Sequence, residues 1–199
     1  MVPRHLVIIN KFLHKEDINK VKETLKLLKN IKNFFVEDFG LINLIDKNKV
    51  VLYPNHILSN YISINYLNEI GIKNVVVSNE LSIEELIEIK NKTNSNIYYF
   101  YVSKNNIMYS NRELLSNYYE NFKILDKSNK LNIKEMVSGY GLLLIEENRS
   151  TCMFDNKIFC ASKHVEELED FNLIINFSNI NEDDKKVILD NIDKRHNPN

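Results

Sequence analysis

The chain has 199 residues, with 26 Lys and Arg against 27 Asp and Glu, a net charge of −1. At 44% hydrophobic it can bury a core, which excludes a disordered tail, and the even charge excludes a dedicated nucleic-acid binder relying on surplus cations. No apolar run approaches the ~20 residues that span a bilayer, and the first fifteen residues lack a cleavable leader pattern, so a cytoplasmic protein without a membrane partner is expected.

The elements follow in order. Residues 5–10 read as a strand and 17–30 as a helix, with Ile18, Val21, Leu25 and Leu28 at helical spacing. A second strand over 33–38 runs into a single helical turn over 39–45. Residues 49–54 form a third strand, and 57–71 a helix closed by Gly71. After a fourth strand over 74–79, Ser82 with Glu85 three residues on makes a capping box that opens a helix. Residues 96–102 are a fifth strand, in which Tyr98 to Tyr101 pack on both faces.

Strands alternating with helices call for a parallel sheet with right-handed crossovers. The short repeat suits a β/α barrel or part of one. Beyond residue 120 the pattern changes. Residues 122–125, 141–147, 150–154 and 157–162 read as antiparallel strands, with Asp155-Asn156 turning a hairpin that sets Cys152 and Cys160 on opposite strands. The stretches 164–171, 172–177 and 181–192 return to α/β. One domain is expected over 1–199, made of β/α units (1–120), a β-rich insertion (121–162) and a final α/β unit (163–193).

In a parallel α/β fold, chemistry collects at the carboxyl ends of the strands. Those ends supply Asn10, then Glu37 and Asp38, then Asn55 and His56, then Glu80. Glu37, Asp38, His56 and Glu80 are candidates for acid–base work, and Asn10 and Asn55 for substrate contacts. Each has a plainer reading. Asp38 can hold the turn before Gly40, Glu80 can cap the next helix, and His56 can be a hydrogen-bonded structural residue. The other histidines show no metal-ligand spacing, and two cysteines cannot supply a disulfide framework or the four thiolates of an iron–sulfur cluster, so no metal and no cofactor are expected. Asparagine is abundant throughout, so the glycosylation-like triplets at Asn91, Asn148 and Asn176 carry no weight.

Two stretches are more specific. The segment 36–45, followed by 59–89, places Asp38 and Gly40, then Asn60 before a helix, Gly71 at a turn, and Glu80-Leu81-Ser82 at a strand end. The segment 108–119 carries Tyr109, Ser110, Arg112, Leu114, Leu115, Ser116, Asn117 and Tyr118. In order and spacing these resemble the collagenase-like peptidase family U32. The chain departs from the family pattern where Glu, His-Gly and Cys usually precede the second segment: Tyr98, Val102-Ser103 and Asn106 stand there. Asn111 and Glu113 replace the signature's own Gly and Cys.

The resemblance implies a TIM-barrel-like fold, incomplete here because the chain opens at the family's third strand and is shorter than the ~250 residues of a full barrel. It adds Asn60 and Arg112 as candidate substrate-binding residues, and Arg112 is expected in a fixed salt bridge or on an anionic ligand. Family members are called peptidases, and some relatives assist hydroxylation of RNA bases or of a quinone precursor. With the His-Gly and cysteine positions changed, the implied role is a binding or accessory subunit. Its partner would be another protein, a fuller family member or a second copy. The alternative is a peptidase acting on collagen-like or unfolded peptide substrates.

Overall fold

A computed structural model describes residues 6–9, 13, 15–54 and 57–196. The elements are β1 (Leu6–Ile9), α1 (Lys15–Leu27), β2 (Asn33–Val36), β3 (Val50–Leu52), α2 (Tyr61–Glu69) and β4 (Asn74–Val76). Next come α3 (Ile83–Lys92), β5 (Asn96–Ser103), β6 (Asn106–Ser110), α4 (Leu114–Asn121) and β7 (Lys130–Lys134). Then follow β8 (Gly141–Glu147), β9 (Ser150–Asp155), β10 (Phe159–Cys160), β11 (Asn172–Ile175) and α5 (Glu182–His196). Two compact units result, Met1–Phe100 with His164–Ile174 and Tyr101–Lys163 with Ile175–Asn199.

In the first unit β1 to β5 pair in chain order, each parallel to the next. With β11 on β5 they make six parallel strands curled into half of a barrel, the expected incomplete β/α barrel. Phe35, Val51, Val76 and Phe100 form a core cluster, with Tyr53, Tyr98 and Ile174 against it. Large rings fill this face: Phe35 and Tyr98 meet edge-on with centroids 5.6 Å apart. Polar side chains line the strand starts. The Asn74 amide donates to the Val50 carbonyl, that of Asn96 to Asn74 Oδ1, and that of Asn172 to the Ile97 carbonyl.

The helices of this unit start and stop by local rules. Asn60 caps α2 by accepting from the Ser63 amide, and Ser82 and Glu85 cap α3 reciprocally, as the capping box predicts. Past α2, Gly71 adopts φ +96°, its amide donates to the Asn68 carbonyl and that of Ile72 to Leu67, a Schellman end.

In the second unit β6, β9, β8 and β7 form an antiparallel sheet in that order. Leu115 and Tyr119 of α4 pack with Leu144, Ile124, Leu131, Ile133 and Met153. Three expectations change here. Residues 122–125 are not a strand. Phe122 caps α4, Lys123 takes φ +52°, and the Ile124 amide reaches the Tyr119 carbonyl, so the apolar run serves a second Schellman end. The hairpin turns at Asn148-Arg149, not Asp155-Asn156. Both residues have positive φ (50° and 63°), the twist a two-residue hairpin needs, and β9 pairs with β8. Accordingly β10 pairs with the end of β5, and Cys152 and Cys160 do not face each other across a hairpin.

Candidate functional site

The carboxyl ends of the parallel strands position the candidate residues, and the two-residue period of a strand sorts them. Glu37 continues the side of β2 that carries Phe35, and Tyr53 continues the side of β3 that carries Val51. The Tyr53 amide donates to the Val36 carbonyl, so the pairing runs on past both strands. Burial, and then the negative charge of Glu37, push the Tyr53 phenol up, so it stays protonated. The Tyr53 ring also lies 5.1 Å from that of Phe100. A carboxylate, a phenol and an aromatic wall thus meet in the first unit.

Asp38, one residue on, serves the turn. Its Oδ2 accepts from the Leu13 amide at 2.8 Å and its Oδ1 from the Gly40 amide at 2.7 Å. A Cβ at position 40 would lie 2.9 Å from that Oδ1, which explains the glycine. Asn60 is spent as the cap of α2. Ser78, two residues past Val76, is buried, and its hydroxyl accepts from the amide of Glu80, whose side chain is exposed. Asn10, Asn55 and His56 lie outside the described residues.

Arg112 belongs to the second unit. Its side chain is exposed and, among the described residues, pairs with no carboxylate, so the expected fixed salt bridge is not formed. Its backbone matters more. The Arg112 carbonyl accepts from the Thr151 hydroxyl, which in turn accepts from the Leu114 amide. Glu146 accepts from the amides of Leu115 and Ser116 and from the Ser116 hydroxyl. Burial pushes the Glu146 carboxyl up, but the bonds from Ser116, Leu115 and Thr151 outweigh it and hold the carboxyl below its ordinary value. The second sequence motif is therefore a clamp on the start of α4.

Sequence reasoning missed Tyr53, Glu146 and Thr151. Tyr53 had a signal: counting by twos from Val51 reaches it, as counting from Phe35 reaches Glu37. Glu146 and Thr151 had none, because their partners lie 30 to 39 residues away.

Half of a β/α barrel, with acidic and hydroxyl side chains past the carboxyl ends of its strands, marks the chain as a relative of barrel proteins that place their chemistry there. The model of peptidase family U32 matches residues 3–176, and the chain belongs to that family. No curated protein and no solved structure matches it.

Proposed function

We propose that this U32 family member binds polypeptide as an accessory subunit and does not cleave it. Asp38 carries the reading. Both its oxygens hold backbone amides, so using it as a base would release the Leu13 and Gly40 contacts. Glu37 and Tyr53, close enough for the carboxylate's charge to push the phenol up, have the acceptor and donor chemistry that matches a peptide's own N–H and C=O, and a bound peptide would compete with the contacts they already make. The family's description as peptidases favours the other reading, in which Glu37 works as a general base.

Denatured collagen separates the two. The expected outcome is saturable binding by a collagen-derived peptide, no new fragments on a gel, and at least fivefold weaker binding in Glu37→Gln. Cleavage that Glu37→Gln abolishes would establish the hydrolase instead. Absence of both binding and cleavage would overturn the polypeptide reading.

A further inference from the structure

The concave face of the half-barrel brings rings and an acid together. Phe35 of β2 and Tyr98 of β5 stand three strands apart, about 14 Å in a flat sheet. The curl of the sheet brings their rings to 5.6 Å, edge to face. Tyr53 and Phe100 meet across the same face at 5.1 Å. Phe35 and Phe100 are buried, whereas Tyr53 and Tyr98 are half-buried and reach solvent.

Strand register places a carboxylate in the same row. Val36 pairs with Leu52, Leu52 with Val75, and Val76 with Tyr98. Carried one residue past β2 and β3, that register lines up Glu37, Tyr53, Val76 and Tyr98, on the side that carries Phe35 and Phe100. The Tyr53 amide, bonded to the Val36 carbonyl, shows the pairing continuing there.

We propose that this row holds a lysine or arginine side chain of the bound polypeptide, its charged tip on Glu37 and its methylene stem against Tyr53 and Tyr98. The inference rests on the polypeptide reading and names the side chain which that reading leaves open. Charge supports it. Between β2 and the helical turn over 39–43, and between β4 and α3, the charged side chains are Glu37, Asp38 and Glu80, with no lysine or arginine. These strand ends therefore attract a cation and repel an acidic residue. Asp38 is committed to two amides and Glu80 is exposed, so Glu37 is the acid of the aromatic row.

Shape supports it too. Lysine and arginine join a long apolar stem to a cationic tip, and an aromatic face attracts such a tip within about 6 Å of its centroid. A hard metal ion would need several oxygen ligands. Among the described residues no group of three His, Cys, Asp or Glu could hold one. The incoming cation shares Glu37 with the contacts that the carboxylate already makes, as its two oxygens allow.

Fluorescence anisotropy with three labelled peptides tests this. All have one collagen-derived sequence, with lysine, acetyl-lysine or glutamate at a central position and no other charged residue. The lysine peptide should bind at least fivefold more tightly than the acetyl-lysine peptide, and the glutamate peptide most weakly. Glu37→Gln keeps the shape and an acceptor oxygen. It should bring lysine binding down to the acetyl-lysine level and leave the acetyl-lysine peptide unchanged. Equal affinity of the wild type for the lysine and acetyl-lysine peptides, or a lysine preference that survives Glu37→Gln, would overturn this inference and leave the polypeptide reading standing. Failure of all three peptides to bind would overturn that reading and this inference with it.

Discussion

Helix α3 opens at Ser82, whose hydroxyl accepts from the Glu85 amide while the Glu85 carboxylate accepts from the Ser82 amide. Helix α4 opens at Glu113, whose side chain caps nothing, and its first-turn amides go to Glu146 and Thr151 on the β8–β9 hairpin. Both helices satisfy donors that would otherwise be orphaned. The first does so within four residues, so the start of α3 is satisfied without help from another element. The second needs a docked hairpin, so α4 and the sheet beneath it should form and fail together.

Breaking the distant clamp should have the largest effect. Glu146→Ala should cost about 2 kcal/mol, because it strands two helix amides and the Ser116 hydroxyl, while Thr151 keeps its bond to the Arg112 carbonyl. Amide exchange should show protection lost first at Leu115 and Ser116, while unchanged protection there would refute the clamp. Its pH dependence has a definite sign. The folded carboxyl lies below its ordinary 4.5, so its contribution is complete above that pH and is lost as pH falls through the folded value. Glu146→Gln should lack that part of the acid destabilisation in melts taken from pH 5 downward.

The helix ends sharpen the contrast. Gly71→Ala should cost about 1–1.5 kcal/mol, since φ is +96° and the new Cβ would approach Lys47 Cδ to 3.3 Å. Ser82→Ala should cost about 1 kcal/mol in thermal melts and leave exchange at Leu115 unaltered. Smallest, and of opposite sign, is Lys123→Gly. It relieves a side chain held at φ +52° and should stabilise by about 0.5–1 kcal/mol. A loss of stability there would mean that the lysine side chain contributes more than its backbone costs.

The same division explains what the sequence discloses. The half-barrel is legible because each β/α unit carries its own marks: apolar runs at 33–36 and 74–76, Asn60 and Ser82 as caps, Gly71 as a stop. The antiparallel sheet is less so. Its hairpin turn hides in Asn148-Arg149, where glycine is customary, and the apolar residues 122–125 resemble a strand while closing a helix. Of the candidate site, Glu37 emerges from its place after a strand. Asp38 follows the same strand but turns to the other side and is consumed by backbone amides, a distinction that only strand parity supplies.

The asparagines that open β4, β5 and β11 have a consequence for how the chain finds its fold. Side chains alternate between faces, so a strand that docked one position out of step would swing Asn74 or Asn96 into the opposite layer, where Val75 and Ile97 are fully buried. A stranded amide there costs about 1–3 kcal/mol, a penalty that the native register avoids. The three amides thus weigh against slipped pairing: each of β4, β5 and β11 carries at its start a polar group that only the native register satisfies.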